Sequence, residues 1–144
     1  MNLQIRLCGI DDAEAVYELN AKEMGYDYPK DKTEEKLKQL LESDRDKIFV
    51  AVVDNIVVGY VHADDYDVIY APHMKNIMGI AVSSSFKKKG IGRALLSAVE
   101  DWAKNDGADG VRLVSGAART GAHEFYRRCG YGGEKQQINF KKML

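Results

Sequence analysis

The sequence predicts an α/β fold of the α+β kind, in which about four helices flank a mixed central sheet of about six to seven strands. Two patterns support this prediction: a β-hairpin pattern in the first half of the chain, and a β-α-β-α-β order in the second half. The chain has 144 residues, the usual length of one domain with its own core. We therefore expect residues 1–144 to form a single domain.

The N-terminal third predicts one strand and two helices. Residues 3–8, LQIRLC, alternate in the manner of a strand, and a helix-like pattern follows and ends near Gly25. The buried face of this first helix would comprise Ala13, Val16, Tyr17 and Met24. Asp31 and Glu34 have the spacing of a capping box, which predicts the start of a second helix. Its apolar stripe would comprise Leu37, Leu40 and Leu41.

The middle of the chain predicts three extended strands. KIFVAVV and IVVGYVHAD are rich in β-branched residues and are separated only by Asp54 and Asn55, so they predict a β-hairpin. A third strand, KNIMGIAV at residues 75–82, follows the loop DDYDVIYAPHM. This order favours an antiparallel sheet at this end of the fold.

The remaining residues alternate between helix and strand. A helix that ends at Gly107 is predicted by the apolar face of Ile91, Leu95, Ala98, Val99 and Trp102. A strand at residues 110–115 and a helix at about 118–129 follow it. The last element would be a pair of strands that contains Tyr131 and the segment QINFKK.

Composition and charge favour a soluble cytoplasmic protein with a small partner. The formal net charge is −1, which gives no reason to expect nucleic acid or an anionic membrane as a partner. Cys8 and Cys129 have neither disulfide-like nor metal-like spacing, so we expect free thiols in a reducing compartment. The N-terminus lacks an apolar signal segment, and the longest apolar run, residues 48–53, is too short to span a bilayer.

The stretch SSSFKKKGIGRALL, residues 83–96, predicts an anion-binding turn. A strand that passes through a glycine-containing turn into a helix directs unpaired backbone N–H groups and the positive end of the helix dipole at one place. Gly90 and Gly92 would let a phosphate approach the main chain, and the surrounding charges are positive. We expect a phosphate or pyrophosphate ligand here.

Other interpretations of this stretch are weaker. The P-loop pattern GxxxxGK[ST] is absent, and Leu95 stands where a dinucleotide-binding fingerprint needs glycine or alanine. A basic solvated turn with glycines for geometry remains an alternative. A nucleic-acid patch is less favoured. Three lysines without interleaved aromatic residues, on a nearly neutral domain, are weak evidence for nucleic-acid binding.

Two segments together resemble the GNAT superfamily of N-acetyltransferases. AVSSSFKKKGIGRALL resembles the acetyl-coenzyme A signature [RQ]-x-x-G-x-[GA] of that superfamily, and AHEFYRRCGY at residues 122–131 resembles its A-x-x-F-Y-x-x-x-G-[FY] segment. The resemblance extends over roughly residues 47–133, and the N-terminal strand and helices agree with it in order. It implies a GNAT-like fold, acetyl-coenzyme A as cosubstrate, no metal, and acetyl transfer to an amine by direct attack through a tetrahedral intermediate.

The resemblance also implies a set of cofactor-binding residues. The main-chain amides of residues 88–93 would bind the pyrophosphate, with Lys87 in the Arg/Gln position and Lys88 where many relatives have glycine. The strand that contains residues 80–82 would pair with the pantetheine arm and could stabilise the oxyanion through a main-chain N–H. The cofactor-binding residues implied in this way are Ile80, Ala81, Val82, Lys87, Lys88, Lys89, Gly90, Ile91, Gly92, Arg93, Arg119 and Tyr126.

Tyr126 is the one catalytic residue that the resemblance implies. It aligns with the tyrosine that, in many relatives, protonates the departing thiolate, a role suited to a phenol that keeps its proton at neutral pH. Arg119 replaces an asparagine common in the family and could contact a coenzyme phosphate or a substrate carboxylate, or cap neighbouring elements. His123 fits a packed or surface position better than a catalytic one, and Cys129 fits helix packing.

The sequence offers several candidates for the general base and does not single one out. Many relatives carry glutamate on the strand before the glycine turn, but the corresponding region of this chain has Met78. The candidates elsewhere are His62, Asp64, Asp65, Asp67, His73 and the more remote Glu23. Proton loss through bound water is a further option. The absence of a strand carboxylate also keeps open a noncatalytic module that senses acyl-coenzyme A.

The acceptor amine and the oligomeric state are less constrained. Aromatic residues in two irregular segments could line an acceptor pocket: Tyr26, Tyr28, Tyr66 and Tyr70. The acceptor could be a polyamine, an amino acid, an aminoglycoside-like compound or a protein amine. Edge strands near the C-terminus would suit a homodimer.

Overall fold

Five strands and four helices make up the regular structure of the computed structural model, which describes all 144 residues. The elements in chain order are β1 (Leu3–Leu7), α1 (Ala13–Glu23), α2 (Lys30–Leu41), β2 (Asp46–Val53), β3 (Ile56–Tyr66), β4 (Met74–Val82), α3 (Ile91–Asn105), β5 (Gly110–Leu113) and α4 (Thr120–Arg128). The chain forms two compact units, Met1–Leu113 and Val114–Leu144, so the single-domain expectation stays a prediction. None of the helices has the combined length and apolarity needed to cross a membrane.

The five strands form one mixed sheet in the order β1-β2-β3-β4-β5. Neighbouring strands are antiparallel except β4 and β5, which are parallel. Asp54 and Asn55 have φ angles of 50° and 67°, the left-handed pair that a tight two-residue hairpin turn requires. The predicted hairpin and the mixed sheet are therefore both confirmed.

Helices cover both faces of this sheet. One face of the sheet, here called the cavity face because it adjoins a cavity described below, packs against α1 and α2. The core cluster on this side comprises Cys8, Ala13, Val16, Leu19, Leu37, Ile48, Val50, Val52, Tyr60 and Ala81. Gly59 precedes Tyr60 on β3, and a Cβ atom placed on it would lie 3.4 Å from Leu95 of α3. Because successive strand residues point to opposite faces, α3 packs on the other side, here called the α3 face. The buried residues of this helix are Ile91, Leu95, Leu96, Val99 and Ala103.

Two expectations about the elements were wrong. The last pair of strands does not form: residues 131–144 adopt no helix or strand, and Ile138 and Phe140 are 79% and 87% exposed. Their alternation indicates strand propensity, but a strand needs a partner ladder, so the sheet has five strands. The second helix begins at Lys30 with Pro29 in the cap position, because the fixed φ of proline suits a helix start, and Asp31 lies in the first turn.

Candidate functional site

The turn before α3 has the geometry of an anion-binding site. β4 ends at Val82, a short 3-10 turn covers Ser84–Phe86, and α3 begins at Ile91. Gly90 is the N-cap residue with a φ of 82°, and no side chain caps the helix. The amides of the first turn of a 15-residue helix therefore lack side-chain acceptors and lie at the positive end of its dipole.

Lys88 lies in the same left-handed region as Gly90, with a φ of 62°. A residue with a Cβ atom is strained in this region, which gives a physical reason to expect glycine at this position. A Cβ atom at Gly90 would meet nothing within 4 Å, so the requirement for glycine there is conformational and not steric. The turn thus carries backbone strain at Lys88, close to the predicted pyrophosphate, whereas Gly90 adopts the left-handed conformation without strain.

The charges around the turn are positive and accessible. Lys87, Lys88, Lys89 and Arg93 are all exposed. Glu23, at the end of α1, accepts a hydrogen bond from the Ser84 N–H at 3.1 Å and lies 3.9 Å from the Lys87 ammonium. Its side chain is only 13% exposed. Among the base candidates, Glu23 is thus engaged in holding the turn against α1.

One edge of β4 is open beside this turn. β4 pairs with β5 only from Met74 to Ile77, so residues 78–82 have β3 on one side and no strand on the other. Met78 is left out of the β3 ladder, because His62 pairs with Gly79 and Ala63 pairs with Ile77. This bulge and the end of β5 leave a backbone edge that an extended ligand could pair with. The edge includes the predicted residues Ile80, Ala81 and Val82.

A cavity of about 280 Å³ lies between α1, α2 and the sheet. Its lining residues are Val16, Tyr17, Asn20, Tyr26, Tyr28, Thr33, Lys36, Leu37, Leu40, Ile48, Tyr60 and His62. The Tyr60 hydroxyl donates a hydrogen bond to the Asn20 side chain, and burial raises the pKa of Tyr60 to about 12. Tyr60 is therefore a neutral hydroxyl in the cavity wall at any physiological pH.

His62 is the one base candidate in the cavity lining. Its Nε2 atom lies 2.8 Å from Oδ1 of Asp46, and the two side chains are 18% and 14% exposed. The Ser43 hydroxyl donates to the other carboxylate oxygen, Oδ2, at 2.7 Å. Asp64 lies beside this pair on the cavity face. Burial raises the pKa of Asp64, and a 3.4 Å contact from the Asn76 amide opposes that effect in part.

Asp65 and His73 belong to a charged cluster on the α3 face. The Lys75 ammonium is fully buried, lies 2.5 Å from both Asp65 and Asp106, and sits 3.8 Å from the centre of the Trp102 ring. His73 is 2.8 Å from Asp65. Burial alone would raise the pKa of Asp65, but hydrogen bonds from Lys75 and His73 outweigh it and lower that pKa. The carboxylates of Asp65 and Asp106 and the imidazole of His73 lie close enough together to hold a metal ion. The Lys75 ammonium, however, already supplies the positive charge at this place.

Of the four tyrosines predicted to line an acceptor pocket, two line the cavity and two do not. Tyr26 and Tyr28 line the cavity. Tyr66 and Tyr70 lie outside its lining, where their hydroxyls are 3.4 Å apart and the Arg112 guanidinium stacks 4.0 Å from the Tyr66 ring. The remaining base candidate, Asp67, is exposed in the following loop.

Tyr126 lies on α4 in the second unit. Its ring contacts Phe125 and Tyr131, with ring centroids 5.3 and 6.3 Å away. Burial raises the pKa of the Tyr126 phenol, while the positive charge of Arg119 opposes this shift. The phenol therefore keeps its proton at neutral pH, as an acid must.

Arg119 and His123 differ in their surroundings. Arg119 is exposed at the N-cap position of α4, but its side chain does not cap the helix. His123 Nε2 lies 2.9 Å from the Gly116 carbonyl oxygen, which only accepts, so this nitrogen donates and ties α4 to the preceding loop. Cys129 is half-buried at the helix end, where its N–H bonds to the carbonyls of Phe125 and Tyr126.

Sequence reasoning missed Ser43, Asp46 and Asn20. Asp46 precedes the apolar run of β2 and resembles a loop residue, yet the hairpin register places it two residues from Ile48, the partner of His62. The period of two along Tyr60, His62 and Asp64 was the available signal that these side chains share one face.

Comparisons with known proteins show which family the chain is similar to. The profile described as "Acetyltransferase (GNAT) family" matches residues 13–131. An uncharacterized N-acetyltransferase of Methanocaldococcus jannaschii is 35% identical over 96 residues, which cover 65% of this chain and 42% of that protein. An aminoglycoside N(6')-acetyltransferase type 1 of Salmonella typhimurium is 22% identical over 108 residues, 72% of this chain and 74% of that enzyme.

A solved structure has the same fold. AAC(6')-Iy, in complex with the bisubstrate analog CoA-S-monomethyl-acetylneamine, superposes with a TM-score of 0.89 at 20% identity, over 100% of both chains.

Proposed function

The chain belongs to the GNAT acetyltransferase family, and we propose that it transfers the acetyl group of acetyl-coenzyme A to an amine by direct attack through a tetrahedral intermediate. The activity that defines this family is acetyl transfer. The solved structure of similar fold, AAC(6')-Iy, holds a coenzyme A conjugate.

One observation carries this proposal: an open strand edge leads directly into an uncapped helix start. Residues 78–82 offer unpaired backbone groups, and about ten residues later α3 begins at Ile91 with its amides open. The extended pantetheine arm suits the edge of β4, and the pyrophosphate suits the amides of residues 88–93. Lys87, Lys89 and Arg93 would add charge attraction to the phosphates.

The chemistry assigned to the remaining residues follows from the direction of electron flow. The amine attacks the thioester carbon, and a main-chain N–H of residues 80–82 stabilises the oxyanion. The C–S bond then breaks, and Tyr126 gives its proton to the departing thiolate. Its raised pKa means that the phenol is still protonated when the thiolate forms. Arg119 is assigned to a coenzyme phosphate, which its exposed guanidinium suits.

Tyr126→Phe tests this acid role. Removing the hydroxyl should lower kcat about 100-fold while leaving the affinity for coenzyme A within about threefold. The variant Tyr131→Phe is a matched control on the same aromatic group and should keep wild-type kcat. An unchanged kcat in Tyr126→Phe would remove the assigned role.

The cavity beside His62 is the proposed acceptor site. Its volume of about 280 Å³ is at the small end for ligand sites, so it suits one amine-bearing end of a small molecule. Tyrosine rings in its wall favour a cation. Relatives named aminoglycoside acetyltransferases make a polyamino compound the first acceptor to try.

Two further features belong to the proposal. The free thiols Cys8 and Cys129 suit a reducing compartment, which supports a cytoplasmic location. Exposed Ile138 and Phe140 in the C-terminal segment support a homodimer formed by strand addition, which light scattering would detect as twice the chain mass. The formal net charge of −1 gives no overall basic excess that would favour a nucleic-acid partner.

The function is tested by mixing the protein, acetyl-coenzyme A and an amine panel while following the release of free thiol. The panel contains polyamines, aminoglycosides, amino acids and a lysine peptide. Thiol release that depends on one amine class supports the proposal. Tight binding of acetyl-coenzyme A by calorimetry, with no thiol release from any amine, would instead favour the noncatalytic sensor.

A further inference from the structure

On the premise of the proposed acetyl transfer, we propose that His62 is the general base of the reaction and that Asp46 is its positioning residue. The pair lies on the cavity face, where the acceptor amine is placed. An amine is mainly protonated at neutral pH and must lose a proton before it attacks, so the reaction needs a group of this kind.

The sheet register places His62 beside the open segment of β4. His62 pairs with Gly79, and side chains of paired residues lie on the same face. Because residue 79 has no side chain, β4 itself places nothing over the imidazole at this position. His62 is therefore the imidazole nearest in register to the strand that would hold the thioester.

Hydrogen bonds fix which ring nitrogen can act. The Ser43 hydroxyl accepts the Arg45 N–H at 3.1 Å and gives its own proton to Oδ2 of Asp46. An ionised carboxylate only accepts, so Nε2 of His62 carries a proton and donates it to Oδ1 across 2.8 Å. The Nδ1 atom then keeps its lone pair and is the basic atom. The same bond stabilises the imidazolium that forms.

The distance between strands indicates how the proton travels. A pantetheine arm on the open edge of β4 lies about 10 Å from β3, since neighbouring strands are about 4.8 Å apart. The imidazole is hydrogen-bonded to Asp46 on β2, on the other side of β3 from this arm, so it does not bridge that gap by itself. We therefore assign the transfer to a relay through water from the amine to Nδ1.

The proton balance closes. The ammonium loses one proton through the water to His62, and the freed lone pair forms the N–C bond as the carbonyl electrons move to oxygen. Collapse of the intermediate breaks the C–S bond, and the thiolate leaves with the electron pair. Tyr126 protonates the thiolate, the nitrogen loses its second proton as the amide forms and that proton restores the Tyr126 hydroxyl through water, and His62 returns its proton to solvent.

Other ionisable groups face the same cavity or sheet surface, so a pH profile of the wild type does not by itself identify the base. They are Tyr17 on α1, Tyr26 and Tyr28 before α2, Lys36 on α2, Arg45 before β2, Asp46 on β2, and Tyr60 and Asp64 on β3. β4 contributes Gly79 and Ala81 to this surface, neither of which titrates. Substitution of His62 itself is therefore the direct experiment.

His62→Gln keeps a donor toward Asp46 but removes the base. We expect kcat to fall about 100-fold or more, with coenzyme A affinity by calorimetry unchanged as evidence of folding. In wild type, kcat/KM should level off with rising pH, whereas in His62→Gln it should keep rising about tenfold per pH unit toward the pKa of the amine. The matched control is His73→Gln, which removes a histidine paired with Asp65 across the same 2.8 Å and should keep the wild-type profile.

Asp46→Asn tests the positioning role without touching the base. In this variant the remaining side-chain oxygen would accept from Ser43, so the new amide group would donate to Nε2 and move the imidazole proton to Nδ1. A fall of about tenfold or more in kcat, with KM and coenzyme A affinity kept, supports the inference. A wild-type rate and pH profile in His62→Gln would overturn it while leaving the proposed function intact. A wild-type protein that releases no thiol would overturn both.

Discussion

The two faces of the central sheet treat neighbouring carboxylates in opposite ways. Asp64 and Asp65 are adjacent on β3, so their side chains point to the cavity face and the α3 face respectively. Burial raises the pKa of Asp64, whereas Asp65 is held ionised by Lys75 and His73, which lower its pKa. On the α3 face the Asp65 carboxylate is thus paired with positive charge, whereas on the cavity face the Asp64 carboxylate lacks such a partner of full charge. We infer that the first face serves stability and the second serves binding.

The two His–Asp pairs also differ in their surroundings from one face of the sheet to the other. His62–Asp46 and His73–Asp65 both have an Nε2–Oδ1 distance of 2.8 Å. The second pair shares its carboxylate with a fully buried ammonium, and the first adjoins a cavity. The hydrogen bond alone therefore does not separate a structural pair from a functional one. The surroundings of each pair do.

The largest effect is expected at Lys75, the centre of the α3 face. Lys75→Ala would leave Asp65 and Asp106 without their shared cation, so the free energy of unfolding should fall by about 3–5 kcal/mol. Urea unfolding measures this change. Lys36→Ala, an exposed lysine at the cavity, is the matched control and should stay within about 0.5 kcal/mol. A loss below about 1 kcal/mol in Lys75→Ala would contradict the division of roles.

A second experiment compares the adjacent carboxylates directly. Asp65→Asn should lower the free energy of unfolding by about 2 kcal/mol at pH 7, because Lys75 loses one of its two charged partners. Asp64→Asn should change it by less than about 0.5 kcal/mol. Thermal unfolding of both variants checks the order, and equal losses would break the comparison.

The pH dependence of stability should separate the same two residues. The lowered pKa of Asp65 means that its contribution is present above its unfolded value of 3.8 and is lost as pH falls through the folded value. The raised pKa of Asp64 has the opposite sign, since its ionised form disfavours folding as pH rises. Asp65→Asn should therefore reduce the loss of stability in acid, and Asp64→Asn should not. Melting curves between about pH 3 and 7 would show any reversal of that order.

The smallest effect is expected at the strained turn before α3. Lys88→Gly should raise the free energy of unfolding by about 0.5–1 kcal/mol, because Lys88 has a φ of 62°. Coenzyme A affinity should be kept if backbone amides make the contact. Lys89→Gly, next to it but outside the left-handed region, should give no gain. A loss of stability in Lys88→Gly would contradict the assigned strain.

Local patterns predicted much of the fold but little of the charge pairing. Asp54-Asn55 marked the hairpin, and Gly90 and the apolar face of α3 marked the turn and its helix, because each signal lies within one element. Lys75 could not be identified as buried, since its partner Asp106 is 31 residues away beyond α3. The Asp46–His62 pair depends on hairpin register in the same way. The predicted last strands do not form, which shows that an alternating apolar and polar pattern does not make a strand without a neighbouring strand to pair with.

The central claim is that backbone amides at the start of α3 bind the pyrophosphate of coenzyme A. Titration calorimetry with coenzyme A and with pantetheine, which lacks the pyrophosphate, tests it most directly. We predict saturable heat for coenzyme A and an affinity for pantetheine that is weaker by about 100-fold or more. Equal affinities for the two compounds, or no heat with coenzyme A, would contradict the account.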